Sequence, residues 1–314
     1  MKLHLHSGLP YFLKAVVLTW GILLFTLVVK AGTRVYPVLT EKVTSTQQQA
    51  IEYVEKITKL NPSTHWPHIK PALFLKNLKT NIHNIVSIYP GKGTNFCGYG
   101  ALTYLFLQDD PLGYATLLLQ LYGEGKVTFR SITFEPSAAI KLEAGDLKYK
   151  GTLDINPAEQ MWYLTLADHY KGYLNFFNCK YNEGDENRFW ASVNYAKFNR
   201  MTRELLNYNS KAKGADLMRP KVASLYNYIS EKMKTGTVVL FINNRIVHKK
   251  DHIQIKLAVP THFIVAEKIS IENDVITFMY WDYGRKTQLQ VSTDFFKRIV
   301  FGVTWFTKKE ANAE

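Results

Sequence analysis

Cysteine is scarce in this sequence. The 314 residues include only two, Cys97 and Cys179, so the chain has no disulfide framework and can form one bridge at most. A nucleophilic cysteine must stay a free thiolate, so a Cys97–Cys179 bridge and a catalytic Cys97 exclude each other. The surroundings of Cys179, NFFNCKYNEGDENRFW, are typical of a loop leading into a helix. We expect Cys179 to be buried, away from any cleft and not bonded to Cys97.

Metal-binding and nucleic-acid-binding motifs are absent from the sequence. It contains no HExxH and no CxxC, and His248 and His252, four apart, lie in a segment that reads as strand or loop. That spacing aligns two ligands only on a helix, so we predict no metal and no cofactor. The formal charge is +13, yet lysine and arginine form no tight cluster. We therefore interpret the charge as a generally basic surface and expect no nucleic-acid partner. The alternative is that the charge attracts an anionic membrane or cell-wall polymer.

Internal repeats and low-complexity segments are also lacking, and a 46% hydrophobic, 14% aromatic composition is enough for a substantial core. An apolar run, AVVLTWGILLFTLVV, covers Ala15–Val29. Its length lies between a signal-peptide core and a bilayer-spanning helix. We predict that residues 1–34 are an uncleaved signal anchor, with a signal peptide cleaved after Ala31 as the alternative. The body is then anchored to the membrane or exported, outside the cytoplasm.

The rest of the chain, residues 35–314, changes character along its length. Helix signals come first. Apolar periodicity predicts helices at residues 44–60, near Cys97 and from Pro111 to Leu121. A capping box formed by Asn156 and Glu159 predicts the start of another, and two more are predicted near 187–207 and 221–234. Residues 126–153 read as extended. After Gly236 the chain consists of short β-rich runs separated by turn signals. This segregation predicts an α+β fold, with a helical lobe packed on a C-terminal antiparallel β-sheet.

Cys97 lies where a turn becomes a helix, in TNFCGYGALTYLFL. The unpaired N–H groups and the dipole at a helix N-terminus favour the ionised thiolate, which is the nucleophilic form. Gly98 permits the close backbone approach that an oxyanion site on the Cys97 amide needs. The alternative is that Cys97 is a small buried apolar residue.

A nucleophilic cysteine needs a base, and among nine histidines His262 is the best candidate. It opens the strand THFIVAEKIS, and Asp282 ends the strand VITFMYWD twenty residues later. If the two strands form a hairpin through IEND, the histidine and the aspartate lie side by side, and the carboxylate orients the imidazole. A lone histidine is more often a satisfied core residue, but the paired aspartate favours a catalytic base.

These residues resemble the papain-like cysteine peptidases, and most closely the bacterial, bacteriocin-processing peptidases that cleave double-glycine leaders. The resemblance covers about Asn95–Leu107 and Thr237–Phe306. It implies a papain-like fold in which Cys97 is the nucleophile, His262 the base and Asp282 its orienting partner. Residues 154–235 resemble nothing in that family and are predicted to be a helical insertion.

The family usually places a glutamine a few residues before the cysteine to complete the oxyanion hole. The corresponding segment here, YPGKGTNFC, has none. Asn95 carries the nearest side-chain amide, so we assign Asn95 and Gly98 to the oxyanion and substrate-binding site. The resemblance implies a cysteine hydrolase that attacks an amide bond in a peptide or protein. A cell-wall amide and acyl transfer are compatible with the same residues. The alternative, which the missing glutamine supports, is an inactive papain-like binding or scaffolding module at the membrane.

Overall fold

The structure is a computed structural model that describes residues 45–147, 155–176, 178–206, 208–244 and 259–309. The predicted N-terminal anchor and the segment containing His248 and His252 lie outside these residues. Within the described part of the chain, none of the helices has the length and hydropathy needed to cross a bilayer.

The first part of the body is mainly helical. In chain order its elements are α1 (Gln47–Glu55), α2 (Pro71–His83), α3 (Cys97–Asp109), α4 (Pro111–Glu124), β1 (Val127–Phe129), β2 (Ile132–Phe134), α5 (Ala138–Glu143), α6 (Pro157–His169) and α7 (Tyr195–Leu205). Three short 3-10 helices cover Ile85–Ser87, Tyr173–Asn175 and Asp185–Asn187. The helices predicted near Cys97 and from Pro111 are confirmed.

The second part contains most of the large sheet. Its elements are β3 (Tyr208–Gly214), α8 (Leu225–Met233), β4 (Thr237–Ile242), β5 (His262–Glu272), β6 (Val275–Asp282), β7 (Arg285–Ser292), α9 (Thr293–Ile299) and β8 (Val300–Lys308). The sheet has six strands in the order β3-β8-β4-β5-β6-β7, and every neighbouring pair is antiparallel. The fold is α+β, as the sequence predicts.

Both faces of the sheet are covered by helices. On one face Phe263 stacks on Phe198 of α7 with ring centroids 4.3 Å apart, and Trp281 stacks on Tyr104 of α3 at 4.6 Å. On the other face α8 and α9 pack on the alternate positions of the strands, through Leu225, Ile229, Phe296 and Ile299. This second layer explains why β4, TVVLFI, is apolar at nearly every position.

A side-chain cap or a proline in the first turn marks the start of most helices, with α3 and α5 as exceptions. The hydroxyl of Thr46 and the side chain of Gln49 form a capping box at α1. Pro157 occupies the first turn of α6 as predicted, but the capping box expected at Asn156 is absent. Its intended partner, Glu159, is instead fully buried in the protein core.

Two regions differ from the sequence-based prediction. Residues 126–153 are not all extended, since a β1–β2 hairpin is followed by α5 and residues 148–154 lie outside the described part. The region 154–235 is not wholly helical, because it contains β3, which pairs with β8 at the edge of the sheet. Its sequence, YNSKAKG, buries only Tyr208, so it lacks the apolar alternation that reveals a strand.

Candidate active site

Cys97 is the first residue of α3 and lies at the accessible end of an otherwise buried helix. Thr94 fixes the turn before it, because its hydroxyl accepts from the Phe96 N–H at 3.2 Å and donates to the Pro90 carbonyl at 2.7 Å. The helix runs inward from there, with apolar side chains against the core. The thiol is thus held by a buried element while remaining partly exposed.

His262 and Asp282 are brought together by the β5–β6 hairpin. Val265 pairs with Trp281, so the beginning of β5 lies next to the end of β6. A two-residue turn closes the hairpin through Asn273 and Asp274, both with positive φ, 46° and 62°. The predicted hairpin is confirmed, and His262 Nε2 lies 2.6 Å from Asp282 Oδ1 with both side chains 2% exposed.

The Cys97 thiol lies close enough to the His262 ring to contribute to the raised pKa of the imidazole. Because Nε2 contacts the carboxylate, Nδ1 is the ring nitrogen left for the thiol. Burial opposes a charged imidazole, but the charge and hydrogen bond of Asp282, together with Cys97, outweigh it and raise the pKa of His262 to about 10. The environment therefore favours the imidazolium at neutral pH, which is the form that pairs with a thiolate.

The backbone of Thr261 also contacts the thiol. Cys97 Sγ lies 3.6 Å from the Thr261 carbonyl oxygen, so the S–H group can donate to it. A thiolate has no proton to donate, and a carbonyl oxygen repels its charge. Formation of an ion pair with His262 therefore requires the sulfur to turn from the Thr261 carbonyl towards the imidazolium.

Asn95 does not occupy the oxyanion position that we assign to it from the sequence. Its amide nitrogen donates to the Arg188 carbonyl at 3.0 Å and to the Ser192 hydroxyl at 3.2 Å. An amide carries two hydrogens, so neither remains for an oxyanion. Asn95 instead fastens a neighbouring segment, which we term the wall (residues 172–176 and 178–193), to the turn before Cys97.

Gly98 has a packing role next to the thiol. A Cβ atom at this position would lie 2.8 Å from the Val193 side chain, so glycine lets the wall approach the first turn of α3. Intrahelical bonding begins at Gly100, whose N–H donates to the Phe96 carbonyl. The N–H groups of Cys97 and Gly98 precede that bond and belong to the donors that a helix start leaves to other acceptors.

Lys197 joins the wall to the active-site helix, and sequence reasoning missed it. This lysine of α7 is 3% exposed. Its ammonium nitrogen contacts the Tyr99 hydroxyl at 2.7 Å, the Ser192 carbonyl at 3.1 Å and the Asn175 side-chain oxygen at 3.3 Å. Burial, together with the charges of Lys171 and Arg200, lowers the pKa of Lys197 well below the usual lysine value, and the three acceptors oppose this by favouring the ammonium form. The available signal was its spacing, since Lys197 precedes buried Met201 by four residues on the apolar face of the helix.

Cys179 is free, as is Cys97, so the prediction that they do not pair is confirmed. The prediction that Cys179 is buried is wrong. It lies in an exposed stretch of the wall between the 3-10 helices Tyr173–Asn175 and Asp185–Asn187, where the chain crosses the surface. Among the described residues, no group of three or more histidine, cysteine, aspartate or glutamate side chains is arranged to hold a metal ion.

No protein-family model, curated protein or solved structure matches the chain. The resemblance to papain-like peptidases therefore depends on the motifs around Cys97, His262 and Asp282 and on their spatial arrangement. The catalytic roles of these three residues stay a prediction.

Proposed function

We propose that this chain is a papain-like cysteine hydrolase that cleaves amide bonds in peptides or proteins. The observation that carries the proposal is a buried His262–Asp282 pair with the Cys97 thiol beside the imidazole at the start of a helix. A nucleophile, a base and an orienting carboxylate are the groups that amide hydrolysis through a covalent intermediate requires.

The reaction begins from the Cys97 thiolate and the His262 imidazolium. The thiolate attacks the amide carbonyl, and the charge that develops on its oxygen is stabilised by N–H groups at the start of α3. The imidazolium gives its proton to the departing amine as the C–N bond breaks, which leaves a thioester on Cys97. His262, now neutral, takes a proton from water, and the resulting hydroxide attacks the thioester to release the acid. Asp282 stabilises the charged imidazolium.

The same three residues serve hydrolysis of a cell-wall amide or acyl transfer to an amine, so these reactions belong to the same proposal. We further propose that residues 1–34 anchor the protein to a membrane or direct its export, which would place the body and its substrate outside the cytoplasm.

An inactive binding or scaffolding module is the second candidate function, and two observations favour it. The Cys97 sulfur contacts the Thr261 carbonyl, a position that suits a neutral thiol. The only side-chain amide near the cysteine in the preceding segment, that of Asn95, is directed to the wall rather than to an oxyanion.

Thiol labelling distinguishes the two functions. The protein used is the Cys179→Ser variant, because the exposed Cys179 would otherwise react as well. The matched control is the Cys97→Ser variant, in which Cys179 is the remaining cysteine. At pH 6.5 and limiting iodoacetamide, we expect Cys97 in the first variant to be alkylated about tenfold faster than Cys179 in the control, because a thiolate reacts and a thiol does not. Adding His262→Gln to the first variant should reduce the alkylation rate of Cys97 to that of Cys179.

Hydrolysis of a mixed peptide library, followed by mass spectrometry, completes the test. Cys97→Ala should lose cleavage while keeping its circular dichroism spectrum and melting temperature. A Cys97 that labels no faster than Cys179, together with an uncleaved library, would reject the hydrolase and support the inactive module.

A further inference from the structure

The face of the His262 ring is covered by the residue that follows Asp282. The rings of Tyr283 and His262 have centroids 4.7 Å apart and planes only 12° from parallel. Asp282 contacts the edge of the imidazole at Nε2, and Tyr283 contacts its face. The histidine is thus held from two directions by consecutive residues of one turn.

Tyr283 adopts an unfavourable backbone conformation to reach this position. The β6–β7 hairpin is closed by Tyr283 and Gly284, with φ of 43° and 78°. Two-residue turns of this kind favour asparagine, aspartate or glycine, because other side chains are strained at positive φ. A tyrosine in this place contradicts local preference, and such strain persists where the surrounding structure enforces it.

The surrounding structure does fix this turn against the chain that leads to Cys97. The Trp281 indole donates to the Val86 carbonyl at 2.9 Å. A Cβ atom on Gly284 would lie only 3.3 Å from the Ser87 carbonyl oxygen, so the turn and this segment are in close contact. On its other side Tyr283 makes an edge contact with Tyr89, with ring centroids 6.5 Å apart. The turn therefore links the strand end that carries Asp282 to the segment before the nucleophile.

We propose that Tyr283 is a positioning residue that holds the His262 imidazolium in the orientation in which it serves Cys97. An aromatic face attracts a cation, and it shields one side of the His262–Asp282 pair from water, which strengthens their attraction. It also blocks rotation of the imidazole away from the thiol. This inference rests on the proposed function, because it assigns the role of Tyr283 through His262.

Three variants in the Cys179→Ser background test the role. Tyr283→Phe keeps the aromatic face. Tyr283→Asn supplies the residue that the turn prefers and removes the ring, and Tyr283→Leu keeps an apolar cover without an aromatic face. The measurements are the pH profile of Cys97 alkylation, the melting temperature and, in a Cys97→Ala background, the titration of His262 by NMR.

We expect Tyr283→Phe to behave like the parent protein. Tyr283→Asn should melt at the same temperature or higher because the strain is relieved, yet label Cys97 about tenfold more slowly at pH 6.5, as the loss of a shielded cation–π contact implies. Tyr283→Leu should give an intermediate profile.

A Tyr283→Asn protein with the parent alkylation profile and the parent His262 titration would overturn the inference. If Tyr283→Asn fails to fold, the alkylation profile and the His262 titration are compared between Tyr283→Leu and Tyr283→Phe, and identical results for these two variants would overturn the inference. Failure of the proposed function has a different signature. Cys97 of the parent protein would then label slowly, while the NMR titration in the Cys97→Ala background would still report whether Tyr283 stabilises the imidazolium.

Discussion

His262 and Asp282 form a buried ion pair, with Nε2 and Oδ1 2.6 Å apart and neither side chain more than 2% exposed. Two charged groups are desolvated together at this end of the sheet. Each therefore depends on the other, and loss of one partner leaves an uncompensated buried group.

The pair should make stability depend on pH. Because the pKa of His262 is raised from 6.5 to about 10, its stabilising effect is fully present below about pH 6.5 and lost as pH rises through about 10. Asp282→Asn should lower the free energy of unfolding at pH 7 by roughly 2–4 kcal/mol and flatten its decline between these pH values. Urea denaturation at pH 6, 8 and 10 measures this. The exposed Asp294→Asn is the control, and an unchanged pH dependence in Asp282→Asn would contradict the prediction.

Lys197 should stabilise the protein by holding the wall against α3. Replacement by methionine, which has a similar length, removes the lysine donor from the Ser192 carbonyl and the Tyr99 hydroxyl, whereas the Asn175 oxygen keeps the Gly172 N–H. Lys197→Met should therefore destabilise the protein by about 1–3 kcal/mol. Lys76→Met, at an exposed position of α2, should change stability by less than about 0.5 kcal/mol. Chemical denaturation compares the two. Equal effects would show that the three contacts contribute nothing to stability.

Glu159 should destabilise the protein at alkaline pH. It is fully buried, with the amides of Asn77 and Asn81 nearby but not in well-formed hydrogen bonds. Burial raises the pKa of Glu159 from 4.5 to about 7, so its neutral form is favoured; stability falls as pH rises from about 4.5 to about 7 and stays at the lower value above that. Glu159→Gln should match the parent protein at pH 4.5 and exceed it at pH 8 by on the order of 2 kcal/mol. The exposed Glu231→Gln is the control. A variant that is less stable than the parent at pH 8 would contradict this.

Local signals explain why the histidine and aspartate could be paired from the sequence. The first half of β5 and most of β6 are apolar, and the Asn273–Asp274 turn between the strands is short. Antiparallel pairing then brings the beginning of β5 next to the end of β6. The start of α3 at Cys97 is equally local. The α+β class follows from the segregation of helix and strand signals along the chain.

Features that depend on distant contacts could not be predicted in this way. Asn95 is two residues from the thiol, but its amide is used by Arg188 and Ser192, more than ninety positions away. Tyr283 contradicts the preference of its own turn, so local reasoning assigns it no role. The strand character of β3 comes from pairing with β8 rather than from its own polar sequence.

The position of β8 in the sheet constrains the order in which the strands can pair during synthesis. This strand, Val300–Lys308, lies between β3 and β4, which do not pair with each other. During synthesis both neighbours leave the ribosome before their common partner. Until it arrives, each has an unpaired edge, and such edges recruit other strands. The β4–β5–β6–β7 meander that carries His262 and Asp282 can form earlier, while β3 can join the sheet only after β8 has been synthesised.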